Sequence, residues 1–407
     1  MMSVEEALAR LLAPLQALSA ETVALPQALG RVLAEDVVAR RTQPPFPASA
    51  MDGYAVRAVD VATVPARLAV IGSVPAGSAY PGAVGPGQAV RIFTGAPVPD
   101  GADCIVIQED TDRDGDTVIV REGAPAGRYV RSAGLDFREG QTGLKAGKLL
   151  NVRDVALAAA MNRPWLAVRR RPVVAILPTG DEVVLPGDPI GPNQIVSSNG
   201  LALAALVEAC GGVPRQLGIA PDNADSLRLL ADAARGADLL LTTGGASVGE
   251  HDLVRDALGA AGLELDFWKI AMRPGKPLMV GRFRDTPMIG LPGNPVSTLV
   301  CGLLFVRPAI ERLLGGAAEP APLAKARLAV PLPENDRRQD YLRATLSRDS
   351  ASGDGLPLAT PFGKQDSSMV SLIAHADCLV VRPPHAPPAA ADDIVDIVDF
   401  PGGAVRF

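Results

Sequence analysis

Four segments between residues 171 and 315 combine glycine backbone with charged or hydroxyl side chains: Leu177-Pro-Thr-Gly-Asp-Glu182, Thr242-Thr-Gly-Gly-Ala-Ser-Val-Gly-Glu-His-Asp252, Arg273-Pro-Gly-Lys-Pro277 and Leu291-Pro-Gly-Asn-Pro-Val-Ser297. Such a set can hold anions. Gly244, Gly245, Ser247 and Gly249 precede a helix expected from about Asp252, which offers exposed N–H groups and a positive dipole end. Gly293 and Asn294 lead into a second helix whose first turn holds Ser297, a hydroxyl donor for an oxyanion. Arg273 and Lys276, three apart in a proline-fixed turn, add cationic donors. Glu182, Asp222 and Asp252 follow the same strands or their loops. Carboxylates beside an anion cradle would repel the ligand unless a hard cation stands between them, and Mg²⁺ suits one or two carboxylates plus phosphate oxygens. Asp222 and Asp252 read equally well as helix caps.

Other chemistries lack their residues. There is no Gly-x-x-x-x-Gly-Lys-Ser/Thr, and no strand-to-helix turn carries Gly-x-Gly-x-x-Gly. His251, His375 and His385 are too scattered for a zinc site or a histidine-based triad. Asp110-Thr-Asp-Arg-Asp-Gly-Asp116 begins like a calcium loop, but Arg121 stands where the bidentate Glu belongs, so Asp114-Gly115 reads as a hairpin turn. Cys104, Cys210, Cys301 and Cys378 are far apart in apolar contexts, as buried reduced thiols are.

The elements that must position these loops follow from pattern. Short apolar runs at 172–177, 238–241, 278–280 and 286–291 read as buried strands, and helix-like stretches lie between them. Asn199 is expected to cap a helix over 201–210 that stops at Gly211-Gly212, and Asp222 or Asn223 one over 226–235 that stops at Gly236. This alternation predicts an α/β central domain, a doubly wound, mostly parallel sheet over 171–316, with ligands beyond the carboxyl ends of the strands.

Around that domain the pattern differs. Residues 1–60 are expected to be a helical and extended segment contributing to a linker domain, with helical stretches through about residue 39 and an extended Gln43-Pro-Pro-Phe-Pro47. Asp52 follows, as either a turn residue or a presented carboxylate. Residues 61–150 read as a small β domain, in which Thr94 is a hydroxyl ligand or a turn residue and Asp136 is placed like Asp52. Residues 151–170 supply a linking helix, and 325–407 a small β-barrel or sandwich. Arg169-Arg170-Arg171 reads as a solvated linker.

A net charge of −6 with a pI near 5.3 disfavours nucleic-acid and anionic-membrane partners. No apolar run approaches the roughly 18 residues a bilayer span needs, and no signal peptide is apparent, so a cytoplasmic protein is expected.

Taken together, Ser49-Ala-Met-Asp-Gly-Tyr-Ala55, Thr94-Gly-Ala-Pro97 and the four segments above resemble the molybdopterin molybdenumtransferase (MoeA) family, which is related to the E domain of gephyrin. The resemblance runs collinearly from the first helix to the last strand. It implies insertion of molybdenum from molybdate into adenylylated molybdopterin, release of AMP and molybdenum cofactor, and a need for Mg²⁺. It also implies an elongated, multi-domain subunit in a homodimer. Asp52, Thr94, Asp136, Glu182, Asp222 and Asp252 match functional polar positions of the family, with the last three as metal candidates. Lys269, Arg273, Lys276, Ser297, Arg343 and Ser368 match positions tied to basic or anion-binding roles. Partner enzymes would be the molybdopterin adenylyltransferase upstream and the molybdoenzymes that receive the product. The alternatives are that adenylyltransferase activity itself, whose central fold is similar, or a non-catalytic gephyrin-like scaffold.

Overall fold

The computed structural model describes residues 1–75, 77–244, 253–347 and 355–400. The chain divides into two compact units: Met1–Glu21, Gly30–Ala34 and Arg169–Phe407 form one, Thr22–Leu29 and Glu35–Val168 the other.

At the centre of the first unit is a six-stranded sheet in the order Val213–Gln216, Val173–Pro178, Leu239–Thr243, Thr286–Leu291, Met279–Phe283, Leu263–Phe267. The first four strands run parallel; the last two add antiparallel. The doubly wound, mostly parallel sheet is therefore present with a mixed edge. That edge arises because Arg284, in the left-handed region at φ 53°, closes a hairpin between Met279–Phe283 and Thr286–Leu291. In consequence the Arg273–Pro277 segment enters its strand, whereas the other three loops leave theirs. Leu239–Thr243 is buried along its whole length, as a central parallel strand must be. Both faces are covered: Val174, Ile176, Leu241 and Phe305 belong to one apolar cluster, Ala175, Leu177, Leu240 and Leu258 to the other.

Helix signals were partly right. Asn223 caps Ala224–Asp232 by accepting from the Ser226 N–H at 2.9 Å, which leaves the Asp222 carboxylate free of that duty. Asn199, in contrast, is not a cap. It is the first residue of Asn199–Ala209, and its side chain reaches across to other loops.

The same unit contains a small β-domain. Gln339–Ser347, Leu358–Pro361, Leu323–Leu328, Ile394–Asp399 and Cys378–Arg382 pair in sequence, and Cys378–Arg382 pairs back onto Gln339–Ser347. The ring closes, which makes it a barrel and leaves no free edge among these five. Met272–Arg273 adds to it by pairing with Gln339 and Asp340, so the Arg273–Pro277 segment hangs from the barrel.

The second unit is built on a sheet ordered Cys104–Ile107, Gly53–Val56, Gln88–Ile92, Ala66–Val74, Thr117–Val120, Thr111–Asp114. Gly53–Val56 lies inside this sheet, so the expected boundary at 60/61 cuts through the β domain and not ahead of it. Asp114 pairs with Thr117 around Gly115, whose φ of 60° suits a tight hairpin. Asn151 and Asp154 form a reciprocal capping box on Val152–Ala160.

Two further expectations fail. The helical stretches expected through about residue 39 do not reach that far; Val37–Val38 is a strand that pairs with Thr142–Leu144, a partner more than a hundred residues away that local periodicity cannot register. The arginine run is not a solvated linker: Arg170 makes a two-pronged ion pair with Asp238 at 2.7 and 2.6 Å, and Arg169 donates to the Leu18 carbonyl at 2.9 Å. All four cysteines are free, and burial pushes the Cys104, Cys210 and Cys378 thiols up to about 12, so none is a thiolate at neutral pH. Among the described residues no helix is long and apolar enough to cross a membrane.

Phe305 is fully buried in the larger cluster. Phe305→Ala should destabilise the first unit by about 3–5 kcal/mol, read as a lower urea midpoint for that unit, while the transition of the second stays where it is.

Candidate functional site

Register places three loops side by side. Pro178 pairs with Thr243, and Thr243 with Leu291, so these three parallel strands end at one level. A cavity of about 820 Å³ opens there. Of the sequence-predicted residues, Glu182, Gly244, Gly293, Asn294, Ser297 and Ser368 line it. Position beyond the carboxyl ends of parallel strands is where α/β sheets bind ligands, because the backbones diverge and helix N-termini converge there.

Local chemistry explains each loop. Gly244 has φ 94°, and a Cβ on it would stand 2.4 Å from the Thr179 carbonyl oxygen, so only glycine lets the two loops approach. Pro295 opens the helix Pro295–Cys301, where its missing N–H costs nothing. Ser297 in its first turn is 5 % exposed. Asn294 donates to the Ser367 Oγ at 2.7 Å and the Val296 N–H to the Ser367 carbonyl at 3.0 Å, which fastens the segment bearing Ser368 to the loop. The Ser368 hydroxyl itself donates to Asp366 at 2.7 Å.

On the acidic side, the Asp222 N–H donates to the Asp181 carboxylate at 2.9 Å, and Glu182 adjoins. Burial raises the Asp222 carboxyl above its ordinary range; a backbone hydrogen bond at Asp181 opposes this, and the charges of Asp181 and Glu182 add to the rise. Among the described residues no three acidic or imidazole side chains form a ready cage for a cation. Gly245, Ser247, Gly249 and Asp252 lie outside the described residues.

The predicted cations are not at this cavity. Lys269 and Lys276 line a second one of about 440 Å³ together with Arg337. Lys269 also stands 4.3 Å from the Trp268 ring centroid. Arg273, expected to face an oxyanion, is committed elsewhere: its guanidinium forks onto Asp340, with Nε–Oδ1 at 2.9 Å, and lies 3.6 Å from Asp336. Strand pairing with the barrel aims it there. Arg343 is 1 % exposed and donates to Gln365 Oε1 at 3.2 Å and the Met369 carbonyl at 3.3 Å, so it props the 365–369 segment.

Asp52, Thr94 and Asp136 belong to the second unit. Asp52 accepts from both the Thr94 N–H and hydroxyl at 2.7 Å, and these bonds hold its carboxyl below the usual range. Asp136 is exposed.

Sequence reasoning missed Thr179, Ser197, Asn199 and Thr243 in the cavity wall. For Asn199 the type was noticed and the role mistaken; Thr179 and Thr243 sit inside two of the quoted loop segments but were given no role there, and Ser197 belongs to none of them.

The chain matches three described families in series: "MoeA N-terminal region (domain I and II)" over residues 2–162, "Probable molybdopterin binding domain" over 175–312 and "MoeA C-terminal region (domain IV)" over 325–400. The chain belongs to the MoeA family. A relative from Nostoc named molybdopterin molybdenumtransferase is 40 % identical over 335 residues, 80 % of this chain and 77 % of its own. Molybdopterin molybdenumtransferase 2 of Mycobacterium tuberculosis is 37 % identical over 389 residues, 93 % of this chain and 95 % of its own. Crystal structures of molybdopterin biosynthesis MoeA proteins from Pyrococcus horikoshii superimpose with TM-scores of 0.86 and 0.83 at 33 % and 28 % identity. They cover 99 % and 98 % of this chain and all of their own. The MoeA fold, with its central α/β domain and small β domains, thus accounts for the whole described chain.

The partly buried, like-charged setting of Asp222 has a measurable sign. A carboxyl with a raised folded pKa contributes its stability at low pH, where it is protonated, and loses it as pH rises through the carboxylate range. Asp222→Asn should therefore raise the thermal midpoint at pH 7, and the gain should vanish toward about pH 3. A lower midpoint for the variant at pH 7 would contradict this electrostatic account.

Proposed function

We propose that this MoeA-family enzyme inserts molybdenum from molybdate into adenylylated molybdopterin, releasing AMP and molybdenum cofactor. The observation that carries the reading is the cavity at the level carboxyl ends of three parallel strands, walled by glycine turns, hydroxyls and Glu182. Full-length relatives named for this transfer support it.

In this reading Gly293 and Asn294 offer backbone N–H groups and Ser297 a hydroxyl to an oxyanion, at the positive end of Pro295–Cys301. Gly244 lets two backbone loops close on the same ligand. Glu182 and Asp222 would hold Mg²⁺, with Asp252 a further candidate; the ion when bound neutralises phosphate charge. Lys276 follows Gly275 in the turn that ends at Pro277 on the cavity wall, and with Lys269 it draws anions toward that turn. Asp52, Thr94 and Asp136 enter the proposed set through the resemblance alone. Arg343 and Ser368 take part by shaping the 365–369 segment, and Arg273 by anchoring its turn to the barrel. We further read the chain as a cytoplasmic homodimer that receives substrate from the adenylyltransferase and delivers cofactor to molybdoenzymes.

The test is AMP release from adenylylated molybdopterin with molybdate and Mg²⁺. Wild-type protein should release AMP only when molybdate is present; ATP consumption without molybdate would instead favour adenylyltransferase. Asp222→Ala should lower turnover by about 100-fold or more with an intact fold by circular dichroism, and chelation followed by added Mg²⁺ should abolish and restore activity. Wild-type turnover in that variant removes Asp222 from the mechanism.

A further inference from the structure

The loop Leu291–Asn294 is held from one side by three side chains that no motif singled out for the task. The Thr298 hydroxyl donates to the Pro292 carbonyl at 2.6 Å. The Thr243 hydroxyl donates to the same oxygen at 3.1 Å, and its lone pair accepts from Asn199 Nδ2 at 3.0 Å. The second N–H of that Asn199 amide donates to the Gly293 carbonyl at 2.7 Å. Two consecutive carbonyls are thereby fixed. Thr243 and Thr298 are 2 % and 0 % exposed, so water does not compete for the hydrogen bonds behind Asn199.

Peptide planarity makes this more than a loop anchor. In a trans peptide unit the C=O and N–H point in opposite directions. Fixing the Pro292 carbonyl therefore sets the direction of the Gly293 N–H, and fixing the Gly293 carbonyl sets that of the Asn294 N–H. Both residues line the cavity, and among the described residues neither N–H donates to a protein acceptor. Successive N–H groups presented together form a concave anion site.

We infer that Asn199 is a positioning residue for the reaction: through its paired bonds to Thr243 and Gly293 it orients the Gly293 and Asn294 N–H groups toward the bound oxyanion. Only an amide serves here. It must give two hydrogens, one to a hydroxyl oxygen and one to a carbonyl, and a carboxylate has none. This rests on the functional reading above, deepened to a residue outside its substrate-binding set.

The experiment compares Asn199→Ala, the isosteric Asn199→Asp, Thr243→Val and Thr243→Ser in the full chain. It measures kcat and KM for molybdate-dependent AMP release, calorimetric binding of inorganic tungstate as an oxyanion probe, and the thermal midpoint. Asn199→Ala and Thr243→Val should lose about 10- to 100-fold in kcat/KM and weaken tungstate binding, with midpoints within a few degrees of wild type. Asn199→Asp, which sets an acceptor against the Gly293 carbonyl, should lose at least as much as Asn199→Ala. Thr243→Ser, which keeps the hydroxyl, should recover most of what Thr243→Val loses. Asn199→Ala with kcat/KM and tungstate affinity within about twofold of wild type would overturn the inference, as would full activity in Asn199→Asp. If the Asn199 variants do not fold, the Thr243 pair decides. If wild-type protein shows no molybdate-dependent turnover, the functional reading fails, and tungstate binding across the same series still tests Asn199.

Discussion

The hydroxyl of Thr243 is buried and shared between a loop and a helix of the first unit. It ends a strand buried along its length, in register with Pro178 on one side and Leu291 on the other. There it donates to one loop's carbonyl and accepts from a helix side chain. A buried polar group must find partners or cost stability, so satisfying this hydroxyl obliges the 291–294 loop and the start of Asn199–Ala209 to meet at one place. The cavity is the space left in front of that meeting point.

Charge is distributed with a similar economy. Asp222 and Glu182 stand with Asp181 as a like-charged group that tolerates repulsion, whereas Arg170, Arg273 and Arg343 spend their guanidinium groups on architecture. Arg273 joins the α/β domain's turn to the barrel, and Arg343 props the segment that carries Ser368. Fork-shaped donors suit such joints because they fix direction as well as distance. The lysines, with one point charge on a flexible stem, remain at the second cavity.

Much of this was legible along the chain. The four inner strands of the central sheet announced themselves as apolar runs closed by glycine or proline, whereas the edge strands Val213–Gln216 and Leu263–Phe267, largely open to solvent, carried no such run. The Asn151 cap and the Gly115 hairpin followed local rules, and the loop motifs held Glu182, Gly244, Gly293, Asn294 and Ser297. Illegible were features whose partners are distant in sequence. Val37–Val38 is a strand only because Thr142–Leu144 lies beside it, and the barrel is a barrel only because Cys378–Arg382 returns to Gln339–Ser347.

The sequence by itself determined the family, the α/β centre and the identity of the loops, since these depend on local backbone preference and on residue types at fixed spacing. Tertiary structure alone decided which charges line a cavity and which face each other. A side chain's type fixes what it can donate or accept, but the partner it finds is set by which strands lie adjacent. That is why Asn199, locally an obvious cap, is a strut between loops, and why Arg273, locally an anion binder, is bound to Asp340.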